Sequence, residues 1–221
     1  MESNWYHSRK YNLNEKFFDR WSPEMAYVLG FWFADGYMRK EKSYRVVFSS
    51  RDKDILLQIR HSLNSNHPLR EYFHKKGKSW VWQLNFCSRH LYEGLLLRGG
   101  MRCKSHLIGF PNIPRNFLPD FIRGYFDGDG SVFYVNYIST KNHKPRRELR
   151  SNFTSGSRQF LESLMNILCK KLALSIKKLG SYNRGGSLKL GYGTKDTKRL
   201  LEFIYYQSFP IGLQRKAKFA E

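Results

Sequence analysis

Cysteine is scarce in this chain of 221 residues, and the three cysteines form no metal-binding or disulfide pattern. Cys87, Cys103 and Cys169 are odd in number and lack C-x-x-C spacing, which argues against a disulfide framework and against a structural zinc site. The first residues contain no basic segment followed by an apolar stretch, so no secretory signal is expected. We therefore expect reduced thiols in an intracellular protein.

Acidic residues are also scarce, with 18 Asp and Glu against 39 Lys and Arg and a formal charge of +21. A compact fold tolerates that self-repulsion best beside a polyanion. The sequence has no apolar run long enough to span a bilayer and no isolated basic amphipathic helix, which argues against a membrane as the partner. We therefore expect the partner to be nucleic acid and the location to be with the DNA of the host genome, whichever compartment holds it.

What the sequence does contain is an internal duplication. YVLGFWFADG, beginning at Tyr27, matches FIRGYFDGDG, beginning at Phe121, with an offset of 94 residues. Each segment is an apolar run with a central glycine, a second small residue four positions later and a terminal Asp-Gly. The small pairs are Gly30 with Ala34 and Gly124 with Gly128. Small residues at this spacing share one helix face, which predicts that the two helices pack closely together.

The terminal aspartates of the two segments are the first candidates for chemistry. Gly36 and Gly130 are suited to end their helices at C′, which places Asp35 and Asp129 at helix C-termini, where the helix dipole disfavours negative charge. If the helices pack together, the two carboxylates meet, and a cation between them best explains such a repulsive pair. A single Asp-Gly is more often an ordinary turn, but two at equivalent places in a repeat favour a metal site.

Further elements repeat in the same order in both halves. A strand-like alternation precedes an apolar helical pattern, which begins near Asp52 in the first half, and two more strands and a closing helix follow. The predicted segments are 43–50, 70–74, 79–86 and 91–97 in the first half and 148–155, 176–182, 187–192 and 200–206 in the second. Extra residues around 141–147 are assigned to a longer hairpin loop. Each half is therefore predicted as helix, hairpin, helix, hairpin, helix.

The alternation gives each predicted sheet an apolar face and a polar, basic face. Val46 and Phe48, for example, alternate with Arg45, Val47 and Ser49. Arg, Gln, Asn and Lys suit the base edges of a DNA major groove, whereas a merely solvated face does not explain the excess of positive charge. We therefore predict a DNA-binding surface. Its candidate residues are Arg39, Lys40, Arg45, Val47, Ser49, Arg70, Lys75, Lys76, Gln83, Asn85, Lys141, Lys144, Arg146, Arg147, Arg150, Asn152, Thr154, Lys177, Arg184 and Lys189.

From Trp21 onward the chain resembles the LAGLIDADG homing endonucleases in their single-chain, two-motif form. VLGFWFADG and FIRGYFDGDG stand in the motif positions, and K-S followed by F-P-N-I-P before the second motif is similar to the family's linker. The resemblance implies an α+β fold of tandem αββαββα repeats, with two antiparallel β-saddles around a central two-helix seam. The implied organisation is an N-terminal extension (1–22), a first repeat (23–99), a linker (100–114) and a second repeat (115–221).

The resemblance also implies a metal site. The last acid of each motif, Asp35 or Asp129, is expected to bind a divalent metal at the cleavage centre. The backbone carbonyls of Ala34 and Gly128 are further candidate ligands. Mg²⁺ is the expected cofactor, with Mn²⁺ or Ca²⁺ able to substitute for binding.

The family's basic residue near the attacking water or the scissile phosphate maps onto Lys104 and, at the end of the second half, onto Lys216. One departure concerns the inner acid of the motif. Phe33 occupies the place where the second motif has Asp127, so the inner acid is not shared and we leave it out of catalysis.

The predicted activity is metal-dependent hydrolysis of phosphodiester bonds at a long, specific site in double-stranded DNA. The resemblance adds four-base 3′ overhangs and a role in the mobility of a host intron, since the intein splicing residues are missing at both ends of the sequence. Because the duplication supplies both halves, a monomer without an obligate protein partner is expected. An intron RNA maturase and a DNA-binding protein that does not cut are alternatives on the same fold, although two intact acids favour a nuclease.

Overall fold

The computed structural model of the protein describes residues 10–40, 43–74, 78–140, 142–182 and 186–220. The first half contains α1 (Pro23–Asp35), β1 (Gly36–Lys40), β2 (Tyr44–Ser50), α2 (Lys53–Ser62), β3 (Leu69–His74), β4 (Ser79–Cys87) and α3 (Arg89–Leu97). The second half contains a 3₁₀ turn (Arg115–Phe117), α4 (Leu118–Asp129), β5 (Gly130–Ile138), β6 (Pro145–Ser155), α5 (Arg158–Leu172), β7 (Gly180–Ser181), β8 (Leu188–Tyr192), α6 (Thr194–Ile204) and α7 (Gln214–Ala217). Within these ranges, none of the helices combines the length and apolar character that a membrane crossing requires.

Each half forms one four-stranded sheet, with the strand order β1-β2-β4-β3 in the first and β5-β6-β8-β7 in the second. Every pairing in both sheets is antiparallel. Apolar residues of the inner strands, such as Phe48 and Phe153, are fully buried in the core with the helices, whereas Trp80 and Ile138 are exposed. The predicted α+β fold of two repeats, each ordered helix, hairpin, helix, hairpin, helix, is confirmed.

Helices α1 and α4 pack against each other along their small residues. A Cβ atom placed on Gly30 would lie 2.0 Å from the carbonyl oxygen of Phe121, and one placed on Gly124 would lie 2.0 Å from that of Tyr27. Real Cβ atoms do not approach a backbone oxygen so closely, so only glycine permits this separation of the helices. The predicted seam is confirmed, and it sets the C-terminal ends of the two helices side by side.

Gly36 and Gly130 do end these helices, but not in the predicted conformation. Both have extended backbone, with φ of −100° and −99°, rather than the left-handed conformation of a C′ glycine. A Cβ atom on Gly36 would lie 2.2 Å from Cδ1 of Trp32, and one on Gly130 would lie 2.2 Å from Cδ2 of Phe126. Glycine is required because an aromatic ring from the last helical turn lies across each position. The chain then passes directly into β1 or β5.

The predicted strand over 176–182 is wrong for most of its length. Only Gly180–Ser181 pair with β8. The backbone before Gly180 forms hydrogen bonds with helix side chains instead. The amide of Ser175 donates to Oδ2 of Asp196 at 3.4 Å, and the amide of Lys177 donates to Sδ of Met165 at 3.3 Å. These helical partners are distant in sequence and do not show in the local alternation.

The extra residues of the second half lengthen strands rather than only a loop. β5 and β6 contain 9 and 11 residues, whereas β1 and β2 contain 5 and 7. Arg146 and Arg147, which we assigned to the loop, pair with Tyr137 and Asn136. β5 is rich in valine, phenylalanine and tyrosine, and such residues favour strand over loop.

Candidate active site

Asp35 and Asp129 are the last residues of α1 and α4, and the helical seam brings them together. The Asp35 carboxylate lies beside α4, since a Cβ atom on Gly128 would be 3.3 Å from its Oδ2. Burial, followed by the charge of Asp35, raises the pKa of Asp129 to about 7. Desolvation by the surrounding protein also raises the pKa of Asp35, although this residue is partly exposed to solvent. The two carboxylates of the duplicated motif therefore form one interacting pair.

Lys104 lies at the end of α1, next to this pair. Its Nζ donates to the backbone carbonyls of Phe33 and Ala34, the latter at 2.7 Å. Helix carbonyls at a C-terminus have no intrahelical donor, and a cation there also offsets the helix dipole. Burial lowers the pKa of Lys104 to about 8, against the opposing charges of Asp129 and Asp35. The ammonium group thus caps the helix whose last residue is a candidate metal ligand.

Lys216 occupies the corresponding place at the end of α4. Its side chain is only 4% exposed, and burial lowers its pKa to about 8. Its Nζ donates to three backbone carbonyls, those of Phe126 at 2.6 Å, Asp127 at 2.9 Å and Gly130 at 2.7 Å. The two lysines therefore cap the two motif helices in related ways.

Two cavities adjoin the carboxylate pair. The first, of about 330 Å³, is lined by Asp129 and Lys104 among others. The second, of about 400 Å³, is lined by Asp35, Asp52 and Arg215 among others. Each carboxylate therefore has its own cavity, and the charged residues that line the two cavities differ.

Asp127 has a structural role that explains why the inner acid is not shared. Its carboxylate accepts hydrogen bonds from the hydroxyl of Tyr27 at 2.7 Å, the hydroxyl of Tyr205 at 2.6 Å and the amide of Leu213 at 2.9 Å. Burial raises its pKa, and the charge of Lys216 lowers it. Asp127 therefore fixes the C-terminal segment that carries Lys216.

A buried ion pair, which sequence reasoning missed, fastens the same segment. Arg123 is fully buried, and its Nη2 lies 2.6 Å from Oδ1 of Asp120. Nε of Arg123 donates to the carbonyl of Ile211 at 2.8 Å, and Nη1 donates to the carbonyl of Ile204 at 2.9 Å. An arginine inside an otherwise apolar motif run was the available signal, since a buried charge must be paired.

A second missed pair lies at the rim of the Asp35 cavity. Asp52 precedes α2 but makes no side-chain capping bond. Its carboxylate instead accepts Nη2 of Arg215 at 2.8 Å and Nε at 3.1 Å. This pairing lowers the pKa of Asp52. The pair joins the first repeat to α7 of the second.

The oxygen ligands available at Asp35 and Asp129 suit a hard divalent cation that also coordinates water or phosphate. Within the described ranges, no group of three or more His, Cys, Asp or Glu side chains could hold a metal ion. Two carboxylates with backbone carbonyls are an all-oxygen set, and the carbonyl of Ala34 already accepts Lys104. Mg²⁺ typically uses one or two carboxylates and leaves its other positions to water and substrate phosphate. Asp35 and Asp129 therefore suit a Mg²⁺ site that a phosphate completes.

The first sheet carries a polar face in the predicted register. Residues that pair directly across antiparallel strands share a face. Nε2 of Gln83 donates to the hydroxyl of Tyr37 at 3.1 Å, and Nδ2 of Asn85 donates to Oε1 of Gln83 at 2.9 Å. The predicted residues on this face are Arg39, Arg45, Ser49, Arg70, Gln83 and Asn85.

The second sheet carries a related face with different residues. The predicted residues on this face are Arg146, Arg150, Asn152, Thr154 and Lys189. Arg150 pairs with Glu148 at 2.9 Å, and the hydroxyl of Thr154 donates to the carbonyl of Asp129 at 2.9 Å. Asn152 is 7% exposed, and its Oδ1 has no hydrogen-bond partner among the described residues. The two faces therefore present different side chains at equivalent positions.

The other predicted DNA-contacting residues differ in their placement. Val47 lies on the polar face of the first sheet, paired with Tyr37 and Asn85, but it is 1% exposed, so its side chain presents no surface to a base and the prediction of a contact there is not supported. Lys40 and Arg147 lie on the opposite face, because each is adjacent in its strand to a polar-face residue. Lys144 is exposed between β5 and β6. Lys177, which precedes β7, lines a cavity with Arg150 and Lys189 of the polar face. Lys75, Lys76, Lys141 and Arg184 lie outside the described residues.

Residues 22–96 match the family described as LAGLIDADG-like domain. The chain is also 30% identical over 127 residues to the uncharacterized protein MJ0398 of Methanocaldococcus jannaschii. That match covers 55% of this chain and 44% of the relative, so the chain spans less than half the length of this curated protein.

Solved structures resemble the chain over nearly its whole length. The LAGLIDADG meganuclease I-AabMI, bound to uncleaved DNA, has a TM-score of 0.59 and 16% identity, covering 90% of this chain and 87% of its own. The meganuclease I-SmaMI has a TM-score of 0.60 and 13% identity, with coverages of 90% and 88%. The homing endonuclease I-WcaI, bound to its DNA recognition sequence, has a TM-score of 0.57 and 16% identity, with coverages of 94% and 91%. At these identities the likeness establishes a shared fold.

Proposed function

We propose that this chain is a LAGLIDADG homing endonuclease that cuts both strands of a long, specific site in double-stranded DNA. The observation that carries the proposal is the meeting of Asp35 and Asp129 at one end of the helical seam, between two sheets with polar faces. The excess of Lys and Arg over Asp and Glu supports a DNA partner, because each phosphate neutralised by a cation adds to affinity.

The carboxylates of Asp35 and Asp129 hold the divalent metal, which we infer to be Mg²⁺. A cation bound there would lower the pKa of a coordinated water and stabilise the charge that develops on the leaving oxygen. The raised pKa of Asp129 supports this role, since two neighbouring carboxylates gain most from a shared cation. Lys104, which lines the Asp129 cavity, adds positive charge near a phosphate oxygen.

The polar faces of the two sheets read the DNA on either side of the cut. Equivalent positions differ, as with Gln83 in the first sheet and Lys189 in the second, so the left and right half-sites should differ in sequence. We infer that a single chain covers the whole site, about 20 base pairs, because it already contains both repeats. Family likeness further suggests four-base 3′ overhangs and mobility of a host intron, with the enzyme acting where its host's DNA lies.

A cleavage assay tests the proposal. The substrate is a plasmid carrying the joined flanks of the insertion that encodes the chain, incubated with purified protein and Mg²⁺. We expect the wild-type protein to convert the plasmid to linear DNA, and we expect no linear DNA with Asp35→Asn or Asp129→Asn. Binding of the junction duplex without cleavage by wild type would instead favour a DNA-binding protein. Preferential binding of the intron RNA would favour a maturase.

A further inference from the structure

The two capping lysines differ in how many of their donors are used. An ammonium group has three N–H donors. Lys216 gives all three to the carbonyls of Phe126, Asp127 and Gly130, and its side chain is almost completely buried. Lys104 gives two, to Phe33 and Ala34, and lines the Asp129 cavity. Lys104 therefore keeps one N–H for a ligand, whereas Lys216 keeps none.

Two other cations line the Asp35 cavity, Arg51 and Arg215, and Arg215 directly precedes Lys216 in sequence. Its side chain is 57% exposed, so the guanidinium is accessible to a ligand in the cavity. Two of its five N–H donors bind Asp52, which leaves three. A guanidinium is well suited to phosphate because its fork of donors matches two phosphate oxygens.

Among the described residues that line the Asp129 cavity, there is no corresponding ion pair. The position equivalent to Asp52, at the offset of 105 residues, is Ser157, whose hydroxyl caps α5 and donates to the carbonyl of Ile108 at 2.7 Å. The residue before Lys104 is Cys103, where Arg215 precedes Lys216. The difference between the cavities therefore lies in the residues themselves.

We propose that the two halves of the site use different cations, Lys104 in the Asp129 cavity and Arg215 in the Asp35 cavity. Arg215 contacts the phosphate of the strand bound there and is a catalytic residue. Asp52 acts through Arg215, whose positive charge it partly offsets. Lys216 stabilises the end of α4. This inference rests on the proposed endonuclease function.

The strand in the Asp35 cavity is therefore cut more slowly, because the Asp52 carboxylate offsets part of the positive charge that Arg215 presents to the phosphate. A partly exposed ion pair contributes little, so the delay is about two- to fivefold in rate. Loss of Arg215 itself has a larger effect, about 10- to 100-fold, because a donor to the developing charge is removed.

The test uses a duplex whose two strands carry different labels, so that each strand's cleavage is timed separately. Arg215→Gln should slow one strand about 10- to 100-fold and leave the other within about twofold. Asp52→Asn should speed the same strand about two- to fivefold. Lys104→Met should slow the opposite strand. Arg158→Gln is the matched control, since Arg158 forms an exposed pair with Glu162 on α5 and should change neither strand.

A general loss of structure would slow both strands alike and lower the melting temperature, so the ratio of strand rates separates the two explanations. Arg215→Lys should recover part of the lost rate, because a single ammonium retains the charge. Equal slowing of both strands by Arg215→Gln, or slowing of its strand by Asp52→Asn, would overturn the proposal. So would Lys216→Met if it slowed one strand without lowering the melting temperature. Absence of cleavage by wild type would instead contradict the endonuclease function.

Discussion

Asp129 lies beside Asp35 at the end of the helical seam, and burial together with the charge of Asp35 brings the pKa of Asp129 to about 7. The carboxyl thus binds a proton in the folded state that the unfolded chain, at its ordinary value of 3.8, has already lost. The resulting stabilisation is complete below about pH 4 and is lost as the pH rises to about 7. Without a metal, the pair destabilises the fold at and above neutral pH.

The first prediction concerns the stability of Asp129→Asn in EDTA. The amide removes the charge, so the variant should melt above wild type at pH 8, and its advantage should shrink as the pH falls toward 5. Each kcal/mol corresponds to about 2–4 °C for a chain of this size. Adding Mg²⁺ at pH 8 should raise the melting temperature of wild type but not of the variant. An advantage that stays constant with pH would contradict the coupling of the two acids.

The second prediction concerns the seam. Gly30→Ala places a methyl group 2.0 Å from the carbonyl oxygen of Phe121, so the helices must separate. We expect a loss of about 1–3 kcal/mol or more, measured by urea unfolding. Gly193→Ala is the matched control, because its Cβ meets nothing within 4 Å and its φ is −84°. Equal stability of the two variants would show that the seam is looser than described.

The third prediction concerns DNA affinity. Log affinity should fall linearly with log salt, with a slope of about −0.9 for each phosphate contacted. Arg45→Gln should relax base preference at one position in the half-site read by the first sheet, at about 1–3 kcal/mol if the arginine contacts a guanine. Arg158→Gln, on α5, should leave both slope and preference unchanged. If Arg45→Gln weakened binding equally to all variants of the DNA site, Arg45 would contact the DNA backbone rather than a base.

The fourth prediction concerns stoichiometry. One chain should bind one duplex, because both repeats and both faces are present in it. Sedimentation of the complex should give the mass of one chain plus one duplex. Two chains per duplex, or a preferred site with exact inverted symmetry, would be incompatible with the unequal faces of the two sheets.

The features predicted correctly from sequence are those with a local pattern. Small residues four apart identified the face of α1 that packs on α4, and the period of two identified which side of β2 is polar. The prediction of a strand over 176–182 was wrong for most of its length because the backbone amides of Ser175 and Lys177 bond to side chains on α6 and α5. The local sequence pattern carries no information about those distant partners. The bounds of the repeats and the DNA contacts stay predictions.

The Asp52–Arg215 pair could not be predicted for a related reason. The two residues are 163 positions apart and meet only because the two repeats close on each other. The number of N–H donors that Lys104 and Lys216 use likewise depends on which backbone carbonyls the folded chain brings within hydrogen-bonding distance. Sequence similarity between the halves suggests equivalent lysines, whereas the structure separates them by burial and bonding.

The central claim is that Asp35 and Asp129 together hold the metal that cleavage requires. Its most direct test is cleavage and binding by Asp35→Asn and Asp129→Asn on the junction duplex, with Mg²⁺ for cleavage and Ca²⁺ for binding. The account predicts that each variant loses cleavage by at least about 100-fold while binding within a few-fold of wild type, because the amide keeps the shape but not the charge that a cation needs. Cleavage within a few-fold of wild type by either variant would contradict it.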